Sequence, residues 1–217
     1  MSSFQLKMIA VISMLIDHTG AVVFPDVIGF RIIGRLAFPL FAFLITEGYH
    51  HTSNLKMYAL RLSLFSIISQ YPFWLAFGFD AGLNIFFTLT LGLLVIYLHD
   101  EYKNYPLIFL LAVFADLIGA DYGMFGVLII FLMHIFRDDF KKMLTFVSGL
   151  YLLVFPISGL LAAEDAVFYF IQMFALVSFV FIKYYDGRQG IKLKYFFYLF
   201  YPVHLLLLGL LFAGLNL

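Results

Sequence analysis

The sequence predicts an all-α, polytopic transmembrane helix bundle with its amino terminus in the cytoplasm, and three observations predict it. Apolar stretches recur along the whole chain, parted by short polar breaks. The charged share is only 12% and the mean hydropathy is +1.03, outside the usual range of soluble domains. Charge is also placed in a regular alternation from break to break. Formal net charge is zero, which gives no electrostatic ground for a nucleic-acid partner. The absence of cysteine excludes disulfides, thiolate metal sites and enzyme-bound thioesters. No repeat or low-complexity segment interrupts the chain, so one domain over 1–217 is expected.

Nine candidate spans follow from the apolar runs: roughly 4–23, 28–49, 57–78, 84–99, 105–119, 122–136, 143–161, 166–184 and 194–214. The first lacks a small-residue cleavage site and reads as a retained helix rather than a signal peptide. It carries Lys7 and His18, eleven residues apart. Eleven steps of about 100° make three turns plus about 20°, so the two side chains share a face with about 16 Å of rise between them. An ionisable group at that depth is costly and marks a pathway, a pairing partner or chemistry. His18 is therefore the first candidate for a working residue. Asp17 points about 100° away from it and is not expected to pair with it within the helix.

The second span holds Arg31 and Arg35 at i, i+4, then Pro39, which permits a kink, and Glu47 near its cytoplasmic end. The two arginines are placed to hold a carboxylate, to neutralise Asp17 or to stabilise an oxyanion; Arg31 can equally snorkel to the outer interface. The break that follows presents Tyr49, His50, His51, Thr52, Asn54, Lys56, Tyr58 and Arg61. Hydroxyl, amide and cationic groups beside a membrane suit a phosphorylated ligand. Two consecutive helical histidines do not converge and no His-x3-His spacing accompanies them, so no metal is expected.

The fourth span opens with Asn84 and Thr88 on one face, groups that either face the site or only cross-link helices. Between the fifth and sixth spans lie Asp116 and the run Asp121-Tyr122-Gly123, a carboxylate, a phenol and a flexible backbone; an exposed turn is the alternative. In the last span His204 follows Pro202 and is either part of a polar interior or a satisfied core histidine. Orientation comes from the breaks. Lys56 with Arg61, Lys103, Arg137 with Lys141 and Lys142, and Lys183 through Lys194 fall at every second break, whereas Asp26, Asp80, Asp121, Glu164 and Asp165 fill the others. By the positive-inside rule the amino terminus is cytoplasmic.

The ordered set LKMIAVISMLIDHTG, RIIGRLAFPLFAFLITEGYHHT, LNIFFTLTLGLL, DYG and FYPVHLL resembles the TraX family of membrane proteins, known for acetylating the amino terminus of conjugative pilin. The likeness covers nearly the whole chain. That family is similar in turn to larger integral-membrane acyltransferases whose first helix carries Arg or Lys, ten residues and a His, a spacing that Lys7 and His18 match. The resemblance implies a multi-pass protein of the inner, cytoplasmic membrane that moves an acetyl group from cytosolic acetyl-coenzyme A to an extracytoplasmic acceptor, a protein amino terminus or a glycan. On that expectation Lys56 and Arg61 hold the coenzyme phosphates, with Lys192 or Lys194 assisting. Lys7, Glu47 and Tyr49 line the pantetheine path, with His51, Asn54 and Tyr58 nearby. His18 is base or nucleophile, Arg35 or Asn84 stabilises the oxyanion, and Asp121 with Tyr122 orients the imidazole or receives the acceptor. Two rivals use the same polar groups: a proton-coupled transporter, weakened by the lack of paired interrupted halves, and a docking protein whose polar residues only fasten helices.

Overall fold

The computed structural model describes residues 1–161 and 166–215, and the side chains of all of these except Lys194 and 212–215. The described residues are helical apart from short breaks and one isolated bridge, and all nine predicted stretches form helix. In order these are α1 (Ser3–Val23), α2 (Ile28–Gly34), α3 (Ala37–His51), α4 (Leu55–Phe77), α5 (Ile85–Tyr102), α6 (Tyr105–Leu117) and α7 (Gly123–Ile135). There follow α8 (Phe140–Leu161), α9 (Ala166–Ile171), a 3-10 stretch (Gln172–Val177), α10 (Ser178–Lys183) and α11 (Lys194–Leu215).

Five stretches are long and apolar enough to cross a membrane: Ser3–Val23, Ile28–His51, Ile85–Tyr102, Phe140–Leu161 and Ala166–Lys183. α6 and α7 are apolar but have 13 residues each, about 20 Å of rise, short of a hydrocarbon core of about 30 Å. α4 has the length, but Lys56, Arg61, Gln70 and three serines dilute it. Exposed Leu117, Leu160 and Leu161 are about as open as side chains become, which suits a lipid-facing surface and not water. This is a membrane protein.

The second span is not one bent helix, as the proline suggested, but two. Pro39 has no N–H to give the carbonyl of Arg35, and its ring would strike that carbonyl, so the helix stops at Gly34 and restarts at Ala37. The break falls four residues before the proline and makes Arg35 the residue that closes α2, its N–H reaching back to the carbonyls of Arg31 and Ile32.

Two compact units divide the chain, with the boundary inside α3: 1–44 with 136–194, and 45–135 with 195–217. In the first, α1 starts with a capping box, Ser2 and Gln5 each bonding the other's backbone N–H. The N–H groups of Ser3 and Phe4 donate to the carbonyls of Arg188 and Gln189, so the α10–α11 loop closes the start of α1. α1 then meets α2 at two glycines. A Cβ on Gly20 would collide with Phe30, and one on Gly34 with Asp17. In the second unit α5, α6 and α7 share a core of Val95, Ile108, Ala112, Ala115, Ala120 and Val127. Its α4–α5 and α6–α7 loops are joined by Leu83 and Ala120, with the Leu83 N–H on Gly119 and the Asp121 N–H on Leu83, both at 2.8 Å.

Candidate functional site

In the first unit α1 runs unbroken from Ser3 to Val23, so Lys7 and His18 do lie on one helical face, both half-buried. Asp17, the residue before His18, is the centre of a charge cluster. Arg35 Nη2 reaches Asp17 Oδ1 at 2.6 Å and Arg31 Nη1 reaches Oδ2 at 2.9 Å. Arg31 Nη1 also donates to the Asp17 carbonyl at 3.2 Å. Arg35 is buried, its Nε donates to the Arg31 carbonyl at 3.1 Å and its Nη1 to Gln172 Oε1 at 3.2 Å. Of the sequence alternatives for the arginines, neutralising Asp17 is the one the geometry displays. Each guanidinium nitrogen of Arg35 thus makes a bond within the first unit, to Arg31, Gln172 or Asp17.

For Asn84 the helix cross-linking alternative is the one whose contacts the geometry displays. It is fully buried, and both of its amide hydrogen bonds go inward: Nδ2 to the Ser66 carbonyl and to Gln70 Oε1, each at 2.7 Å. Its Oδ1 caps α5 at the Phe86 N–H. Gln70 in turn donates to the Gly82 carbonyl, joined there by Trp74 Nε1. The residue is a helix cap and cross-link inside the second unit. Thr88 gives its hydroxyl to the Asp121 carbonyl. The Asp121-Tyr122-Gly123 run is bonded rather than flexible, with Tyr122 at φ 62° and Asp116 Oδ1 accepting the Met124 N–H at 2.7 Å. Asp121 itself is exposed.

The remaining candidates also lie in the second unit. Asn54 caps α4 through the Met57 N–H, Lys56 is exposed on the next turn, and Arg61 is half-buried and bonded to Tyr198. Tyr58 lies against Gly48, Glu47 is buried, and His51 Nδ1 bonds the Glu47 carbonyl at 2.9 Å. His204 is buried with Nδ1 donating to the Phe200 carbonyl at 2.7 Å, four residues back in its own helix. Tyr49 turns to α5, where its hydroxyl bonds Asp100. The side chain of Lys194, and the whole of Glu164 and Asp165, lie outside the described residues.

A family model described as TraX protein matches residues 2–212. The chain belongs to the TraX family. Among its relatives, a probable fimbrial assembly protein FimC, serogroup H1, of Dichelobacter nodosus is 32% identical over 233 residues, covering 95% of this chain and 94% of that one. Protein TraX of Escherichia coli K12 is 27% identical over 168 residues, covering 74% of this chain and 67% of its own. An uncharacterized protein of Rickettsia prowazekii is 36% identical over 92 residues, or 42% of this chain and 35% of that one. No solved structure matches.

Two groups of residues in this TraX-family chain escaped the reading of the sequence. Gln172 opens a 3-10 stretch within an otherwise apolar span and is nevertheless 3% exposed; a lone buried amide opposite a predicted arginine cluster was the available signal. His99, Asp100 and His134 converge in the second unit. Their signal was the charge alternation, which puts the ends of α5 and α7 beside cationic breaks on one side of the membrane.

Proposed function

We propose that this protein is a membrane-embedded acetyltransferase of the cytoplasmic membrane, multi-pass, which carries an acetyl group from cytosolic acetyl-coenzyme A to an extracytoplasmic amine, a pilin-like protein amino terminus above all. The observation that carries the reading is the lysine-histidine pair on one face of an uninterrupted, membrane-length α1. Membership of the TraX family and a relative named as a probable fimbrial assembly protein support the acceptor class.

In this reading Lys7 guides the coenzyme arm near the cytoplasmic end of α1, and His18, about 16 Å further along the same face, meets the thioester. The acceptor nitrogen attacks the thioester carbonyl carbon as His18 takes its proton. The tetrahedral intermediate collapses, the C–S bond breaks and the leaving thiolate recovers the proton from the imidazolium, giving amide and free coenzyme A. A route through acetyl-imidazole uses the same residue as nucleophile. Asp17, Arg31, Arg35 and Gln172 act at one remove, tying α2 and the 3-10 stretch to the turn of α1 that bears His18.

The test is acceptor labelling. Purified protein in lipid nanodiscs is mixed with acetyl-coenzyme A and a peptide bearing a pilin-like free amino terminus, and the peptide mass is read. Acetylated peptide that requires both protein and donor supports the reading. Unchanged peptide together with no thiol release removes it, while thiol release alone moves the acceptor to another class.

A further inference from the structure

We propose that the second unit holds a site for one divalent first-row transition ion of the Zn2+ class, built from His99 Nδ1, Asp100 Oδ1 and His134 Nε2. These three atoms all lie within 4.8 Å of one another, brought together by the last turns of α5 and α7. His99 Nδ1 is 3.0 Å and His134 Nε2 2.9 Å from the same carboxylate oxygen. Two imidazole nitrogens and a carboxylate are the donors that borderline ions take, and three protein ligands leave a position open. Ligand bonds of about 2.0–2.2 Å put neighbouring ligand atoms about 3.3–3.6 Å apart in a tetrahedral site. The nitrogen-oxygen spacings need only a slight opening, and the half-buried His99 ring closes on His134 by a rotamer adjustment.

Surrounding groups hold the ligands in place. The Tyr49 hydroxyl is bonded to the Asp100 carboxylate. The His50 ring stacks on His134 with centroids 5.2 Å apart and planes 17° apart, and Phe131 meets His99 edge to face at 5.3 Å. His134 is buried, and its Nδ1 has no hydrogen-bond partner among the described residues. With the ion bound, each neutral imidazole carries its proton on the nitrogen that does not ligate, and the Asp100 carboxylate offsets one of the two positive charges the ion brings. His50 and His51, the adjacent pair that drew attention in the sequence, do not converge; His50 contributes by its contact with a histidine 84 positions further on. This site is independent of the proposed acyl transfer and stands or falls separately from it.

The experiment uses the full chain in detergent, carrying a non-histidine affinity tag and stripped with chelator, titrated with Co2+ alone. The expected result is about one Co2+ per chain with visible d–d absorption, displaced by an equivalent of Zn2+. His134→Ala and Asp100→Asn should each weaken binding at least about tenfold, while Asp138→Asn, at an exposed loop acid, should not. If His134→Ala is not monodisperse, His99→Gln carries the same test from the more exposed edge. Absence of d–d bands, or binding unchanged in the ligand variants, overturns the proposal and leaves a hydrogen-bonded cluster.

Discussion

Asp17 is the keystone of the α1–α2 hairpin, and its replacement should cost more than that of either arginine. In Asp17→Asn two guanidiniums remain without their carboxylate, one of them 5% exposed. Removing one partner of a buried pair and leaving charge behind costs about 3–5 kcal/mol. Arg35→Met leaves Asp17 still held by Arg31 at 2.9 Å, so the loss reduces to an unmet hydrogen-bond set of about 1–3 kcal/mol. Arg31 is the most exposed of the three, and Arg31→Met should cost no more than about 1 kcal/mol. The natural chain has no cysteine, so Ser13→Cys, at a buried α1 position, supplies a single reporter within the same unit. Its labelling rate by a thiol reagent in micelles then rises about tenfold for each 1.4 kcal/mol lost. Asp17→Asn should accelerate labelling by about two to nearly four orders of magnitude, and the Asp17→Asn/Arg35→Met pair should fall well short of the summed singles. Labelling of Asp17→Asn at the parent rate, or simple additivity, would refute the cluster as a structural centre.

Other consequences can be checked with similar means. Gly34→Ala places a methyl group into Asp17 and should open the same hairpin, read as faster Ser13→Cys labelling, whereas Gly29→Ala, with nothing within 4 Å, should not. Asn84→Ala removes two buried amide hydrogen bonds and the α5 cap at once, so thermal stability should fall by about 1–3 kcal/mol; full stability would show that water replaces the amide. Hydrogen bonds from the Arg188 side chain and backbone hold the Asp186 carboxyl well below the ordinary carboxylate range. A carboxyl depressed in the folded state contributes stability above its unfolded value, about 3.9, and loses it as pH falls toward the folded one. Protection of the 186–190 loop from hydrogen exchange, taken relative to the unstructured rate at the same pH, should therefore hold at neutral pH and be lost only in strong acid, and Asp186→Asn should remove that dependence.

Periodicity and charge placement made the helices legible, because a lipid-facing helix must be apolar and its ends must carry the sorted charges. They also gave the shared face of Lys7 and His18, which needs only an unbroken helix. The split of the second span was misjudged because a proline was weighed for bending and not for the carbonyl of Arg35 that it evicts. Arg35 and Asn84 were legible as interior polar groups, but their partners were not, since Gln172 and Gln70 are ordinary amides whose meaning comes from packing. The histidine-aspartate cluster was missed for a similar reason. Residues 99 and 100 point apart on an ideal helix, and only a third group from α7 draws both side chains to one place.

His18 is proposed to perform the chemistry, and thiol release from acetyl-coenzyme A by purified His18→Ala protein is the sharpest check on that role. Wild type and variant are compared in the same nanodiscs, with monodispersity and Ser13→Cys labelling as controls for folding. General bases contribute at least about a hundredfold, so turnover should fall below about a hundredth of wild type in a folded variant. Turnover above about a tenth of wild type in that folded protein would contradict it.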